Sequence, residues 1–199
     1  MFMKFKPSQP YSYTANYCEE NIWKLAAHPD FQARIDECKI LIISNLLKQC
    51  PIWQQRASLI HGDPVLWDYH VVLLQQRPAP ETTLVWDLDT LLETPSPFQT
   101  WWNTSFPSLD EIPDEYKPMF RVLDASVYLE TLSSDRHHMK SKDGTWRMPP
   151  PSWPPIYDGE HHNLSRLIDM SQEKPGEVLD ARALEARFGA GEDAKSEES

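Results

Sequence analysis

Two apolar runs either side of a proline turn constrain this 199-residue chain most. Residues 65–76 and 82–87 are rich in Val, Leu and Trp, and Arg77-Pro78-Ala79-Pro80 separates them. β-type runs flanking a short proline loop predict a hairpin, because proline pre-sets a turn and cannot continue a ladder. With residues 77–80 as the loop, Gln76 faces Glu81 and His70 falls directly opposite Asp87. Opposed Cβ atoms lie about 4.5–5.5 Å apart, within reach of an imidazole–carboxylate hydrogen bond. The pairing also accounts for Asp87, since a carboxylate within Leu84-Val85-Trp86-Asp87-Leu88 is costly to bury alone. Asp89 shares a strand face with Asp87, but this register sets it against Asp68.

Around the hairpin the chain reads as one α+β domain. Residues 1–15 are an extended lead-in, 16–188 the folded domain and 189–199 a disordered acidic tail. Asn16 with Glu19 resembles a capping box, and Cys18, Ile22, Leu25 and Ala26 then fall on one face of a helix running to about His28. Strands are expected at 40–44, 52–55 and 120–123, and helices at 98–106, 126–132, 164–170 and 181–188. The prolines at 149–151 and 154–155 exclude regular structure there.

The net charge of −11 argues against a nucleic-acid or anionic-membrane ligand, which needs a positive surface. No apolar run reaches membrane-spanning length. Three cysteines (Cys18, Cys38, Cys50) cannot all pair, which points to a reducing compartment and leaves a thiol free for chemistry. A cytoplasmic protein, with access to the nucleus open, is the expectation.

A free thiol, a histidine and a carboxylate that orients it are the parts of a cysteine hydrolase. Cys18 sits at the second position of the expected helix, where unpaired N–H groups and the positive dipole end favour a thiolate and could hold an oxyanion. Glu19 and Glu20 oppose ionisation but are expected to project away from it. Cys38 and Cys50 begin no helix and read as small buried hydrophobes.

The residues also resemble a known family, the protein N-terminal glutamine amidohydrolases. The hallmark string is Trp67-Asp68-Tyr69-His70-Val71, with Tyr17-Cys18-Glu19-Glu20-Asn21-Ile22-Trp23 before it. Asp87-Leu88-Asp89-Thr90, Ser134-Asp135-Arg136 and the Pro149–Pro151 run follow in order, so the likeness covers roughly residues 11–188. It implies a single α–β–α layered domain with a mainly antiparallel sheet and a catalytic core akin to papain and transglutaminases. It also implies Cys18 as nucleophile, His70 as proton shuttle and Asp87 as its orienter, with no cofactor and no metal. The implied reaction is deamidation of N-terminal Gln to Glu on proteins or peptides, by a monomer that opens the arginylation branch of the N-degron pathway. How the substrate's α-amine is held is not legible; Glu20, Asp68 and Asp89 are unranked candidates.

Two other readings compete. A papain- or transglutaminase-like enzyme acting at internal sites would share the triad. A non-enzymatic module, binding zinc through His137-His138 and His161-His162 or partners through the Pro/Trp-rich stretch, lacks ligand spacing, because adjacent histidines project differently.

Overall fold

The structure, a computed structural model, describes residues 11–78, 82–159 and 161–189. Its centre is β1 (Cys38–Ser44), a continuous apolar run whose alternate side chains feed two separate cores. β1 pairs antiparallel with β4 (His70–Gln75) on one side and β7 (Met119–Asp124) on the other. β5 (Leu84–Trp86), β6 (Ser96–Pro97) and β8 (Glu177–Leu179) complete a six-stranded sheet of order β6-β5-β4-β1-β7-β8, with every pairing antiparallel.

Ile40, Ile42, Val71 and Leu73 pack beneath α1 (Cys18–Ala26), α4 (Ala125–Thr131) and α5 (Leu164–Leu167). Leu41, Ile43, Val72 and Leu74 pack on the opposite face against α3 (Phe98–Ser105) and α6 (Ala181–Phe188). The expected α+β class and antiparallel sheet are therefore present, with helices on both faces. A short α2 (Pro29–Gln32) follows α1. No helix among the described residues is long and apolar enough to cross a membrane.

The hairpin departs from its expected form in two ways. Residues 65–76 are not one strand, because β3 (Val65–Trp67) pairs with β2 (Cys50–Ile52) in a separate ladder. The break at Asp68-Tyr69 is held by Ser44 Oγ donating to the Asp68 carbonyl (2.7 Å) and Tyr69 N–H donating to Asp68 Oδ1 (2.9 Å). The register also differs, with Leu73 facing Trp86 and Gln75 facing Leu84. Gln76 continues the β1–β4 ladder, its N–H donating to Glu37 O (2.8 Å) next to the Cys38–Gln75 pair. The expected pairing of Gln76 with Glu81 falls on the loop residues 79–81, which lie outside the described residues, as do residues 1–10 of the lead-in and 190–199 of the tail.

The α1 start differs by one residue. Tyr17, not Asn16, is the N-cap, and Cys18 is the first helical residue. Asn16 takes a left-handed conformation (φ 66°), which asparagine tolerates better than most residues. Asn21 ties down the entering chain instead, bonding both Thr14 N–H and Thr14 O at 2.8 Å.

The chain from α5 to β8 is organised by one buried cation. Arg121 donates to the carbonyls of Leu167, Asp169, Gln172 and Pro175 at 2.7–2.8 Å. Four carbonyl dipoles take the place of a counter-carboxylate.

Candidate active site

His70 opens β4, an interior strand of the sheet, and is fully buried. Its Nε2 lies 2.9 Å from Asp87 Oδ1, and Trp67 stacks on the ring at 5.3 Å between centroids. Asp87, the residue after β5, is equally buried and richly satisfied. Its Oδ2 accepts from Trp101 Nε1 (3.1 Å) and Gln55 Nε2 (3.2 Å), and its Oδ1 also accepts the Asp89 N–H (3.0 Å). Burial raises the Asp87 pKa, but His70, Trp101 and Gln55 outweigh it and hold the carboxyl below its ordinary range. Burial conversely lowers that of His70, and Asp87 overcomes this to hold the imidazole above its usual value. The outcome is an ionised carboxylate poised to stabilise an imidazolium.

Cys18 comes to the same end of β4 from α1. It is 4% exposed, and the Val71 N–H, next along from His70, lies near enough to its sulfur to favour the thiolate. The expected thiolate is not the resting state of this pocket. Burial, with Glu19, Asp89 and Asp68 nearby, pushes the thiol well above its ordinary pKa, and the Val71 N–H only partly offsets this. A neutral thiol needs a base, and His70 Nδ1 is buried with no hydrogen-bond partner among the described residues.

Glu20 projects away from Cys18, as expected, but Glu19 does not. Both are fully buried. Glu20 forms a bidentate pair with Arg136 (2.6 and 2.7 Å) and accepts from Trp153 Nε1 (2.7 Å). Trp153 and the buried Pro151 thereby dock the proline-rich stretch onto α1. Glu19 Oε2 lies 3.9 Å from the Cys18 sulfur and accepts from Tyr69 Oη (3.0 Å), while burial raises its pKa to about 7.

The three α-amine candidates now differ. Glu20 is committed to Arg136, and Asp68 is exposed. Asp89 is 4% exposed, takes Tyr13 Oη on Oδ1 (2.5 Å), and has a buried Oδ2 with no hydrogen-bond partner among the described residues. It lies close enough to bias both Cys18 and His70 electrostatically. Cys38 and Cys50 are buried free thiols elsewhere in the core.

One grouping among the described residues offers metal-ligating atoms, namely Asp135, His137 and His162, within 4.8 Å of one another. The fold thus joins one member of each His-His pair. His137 Nδ1 is 2.6 Å from Asp135 Oδ1, a hydrogen-bond distance. Ligands on a tetrahedral ion would stand about 3.3–3.5 Å apart.

Sequence reasoning missed Gln55, Trp101 and Tyr13. Each comes from a distant segment, and only a buried carboxylate's need for several donors signals that such partners exist.

The site's residues fall within a wider likeness. A family model described as N-terminal glutamine amidase matches residues 13–188. The "Protein N-terminal glutamine amidohydrolase" of Bos taurus is 44% identical over 164 residues, covering 81% of this chain and 78% of that protein. The human protein of the same name is 41% identical over 182 residues, covering 89% and 88%. That of Caenorhabditis briggsae is 39% identical over 166 residues, covering 82% and 86%. A match of this extent, spanning Cys18, His70 and Asp87, means that the chain belongs to the N-terminal glutamine amidase family.

Proposed function

We propose that this chain hydrolyses the side-chain amide of an N-terminal glutamine on proteins and peptides, giving glutamate and ammonia. The observation that carries the reading is the buried His70–Asp87 hydrogen bond, with Asp89 acting on both His70 and the free Cys18 thiol, in a chain whose relatives bear that activity in their names. Cys18 gives its proton to His70 Nδ1 as the sulfur attacks the amide carbon. N–H groups at the start of α1 hold the oxyanion. His70 returns the proton to the departing nitrogen, ammonia leaves, and a thioester remains. Water then gives a proton to His70 and attacks the thioester, which releases glutamate and restores the thiol. Asp87 keeps the His70 tautomer and steadies its cation.

For the substrate's α-ammonium, Asp89 is the best-supported partner, with a buried oxygen to spare. A carboxylate for a free amine favours chain ends over internal glutamines. The enzyme would act as a monomer in the cytoplasm or nucleus, consistent with three unpaired thiols. Its product would feed arginylation and degradation.

Peptides beginning with Gln, Asn, acetyl-Gln or pyroglutamate, and one with internal Gln, test this reading through ammonia release. Only the first should react. Comparable turnover of acetyl-Gln or internal Gln would favour a papain- or transglutaminase-like activity instead.

A further inference from the structure

Among the described residues, Glu19 is the one carboxylate in contact with the Cys18 sulfur, and the mechanism above does not use it. Its side chain is fully buried, and only one of its oxygens is engaged. Oε1 has no hydrogen-bond partner among the described residues; the nearest cation-forming group, His138 Nε2, is 3.6 Å away. Burial holds His138 neutral, with its pKa down to about 4, so it supplies no counter-charge. Tyr69, Cys18, His138, Glu20 and Asp68 surround the carboxylate, and Tyr128 Oη bonds the Glu19 carbonyl. Such a group is expensive to keep without a donor to fill its second oxygen.

Position identifies the donor. When sulfur attacks the glutamine Cδ, the leaving nitrogen sits within about 3 Å of it, and an acceptor for its N–H lies about 2.9 Å further on. Glu19, with Oε2 at 3.9 Å from the sulfur, falls in that shell. The α-nitrogen, four bonds from Cδ and roughly 5 Å distant, does not need a carboxylate so close to the thiol.

We propose that Glu19 accepts a hydrogen bond from the substrate's carboxamide –NH₂ and, by its charge, repels the γ-carboxylate of the product. This rests on the N-terminal glutamine reading. Glu19 neither takes nor supplies the transferred proton, which travels between Cys18, His70 and the leaving nitrogen. An amide presents hydrogen-bond donors where the acid presents oxygens, so one fixed acceptor both selects substrate and expels product.

The test uses full-length Cys18→Ala protein, which cannot turn over, and calorimetric titration with peptides that differ only in an N-terminal Gln or Glu. At about pH 8 the Gln peptide should bind at least about tenfold more tightly. Adding Glu19→Gln should shrink that preference to within about threefold, chiefly by tightening the Glu peptide, since a neutral amide removes the repulsion. A preference undiminished in the double variant overturns the proposal, as does its absence in Cys18→Ala alone. Should the double variant fail to fold, Cys18→Ala alone decides, because the preference should fade between about pH 8 and about pH 6 as Glu19 protonates. A constant preference across that range overturns the proposal. Wild-type protein that releases no ammonia from the Gln peptide would instead refute the underlying function.

Discussion

Asp87 is not the residue that faces His70 along the β4–β5 ladder, yet its Oδ1 is 2.9 Å from His70 Nε2. Continued beyond Trp86, the pairing would bring Asp89 opposite His70. The chain leaves the ladder there, and Asp87 crosses diagonally while Trp101 and Gln55 fix its other oxygen. Asp89 is thereby kept from the imidazole and left with an oxygen that has no hydrogen-bond partner among the described residues.

This division of labour separates the two aspartates kinetically. Asp87→Asn should lower kcat by orders of magnitude, because an amide permits the wrong tautomer and does not stabilise imidazolium; the comparable serine-protease change costs about 10⁴. Asp89→Asn should act mainly on KM, by weakening the hold on the α-ammonium. Steady-state kinetics on a Gln peptide check both, and a larger kcat loss for Asp89→Asn would reverse the assignment.

Cysteine substitutions should sort by chemistry, not burial, since all three cysteines are buried. Cys18→Ala and Cys18→Ser should abolish ammonia release while circular dichroism stays native. Cys38→Ala and Cys50→Ala should retain turnover and lose stability of about 1 kcal/mol each, as small cavities in the core. Urea denaturation alongside the activity assay separates the two effects.

The Glu20–Arg136 pair should be a stability element. It joins α1 to the segment before the proline-rich stretch, and Arg136 takes a left-handed backbone (φ 63°) to make it. Removing one partner leaves a buried charge alone, so Glu20→Gln or Arg136→Met should cost about 3–5 kcal/mol in denaturant unfolding. A loss below about 1 kcal/mol would place the pair among solvent-screened contacts.

Glu19 gives a pH signature. Burial raises its pKa from 4.5 to about 7, so the folded state binds this proton more tightly than the unfolded chain. Its penalty is therefore full above about pH 7 and vanishes as pH falls below about 4.5. Glu19→Gln removes the penalty, and should exceed wild type by up to about 3 kcal/mol at about pH 8, with the gap closing near pH 4.5. Taking the difference between the two proteins cancels the opposing contribution of His138, whose lowered pKa costs stability as pH falls below 6.5. An unchanging gap would mean that Glu19 is not the titrating group.

Much of the site was legible because its chemistry is local. The apolar run of β1, the helical spacing of Cys18, Ile22 and Leu25, and the motif Trp67-Asp68-Tyr69-His70-Val71 all declare themselves in short windows. Each residue of that motif has a task here: Trp67 stacks on His70, Asp68 and Tyr69 turn the chain, and Tyr69 and Val71 reach Glu19 and Cys18. The hairpin register differs from the expected one by two residues, because the last pair of the β4–β5 ladder is Gln75 with Leu84, which leaves a connection longer than a four-residue turn. His70 and Asp87 are joined all the same, since diagonal neighbours in a sheet remain within reach of long side chains. The charge state of Cys18 was not legible, because helix position favours a thiolate whereas burial among three carboxylates, visible only in the fold, opposes it. Edge strands β6 and β8 carry two and three residues, too few to show a period.

The central claim is that Cys18 attacks the side-chain amide of an N-terminal glutamine. Mixing enzyme with a Gln peptide, quenching in acid within the first turnover and mapping the adduct by mass spectrometry tests it most directly. The account predicts a glutamyl thioester on Cys18, absent from Cys38 and Cys50, with ammonia released as it forms. Ammonia release without any adduct on Cys18, undiminished in Cys18→Ala, would contradict it.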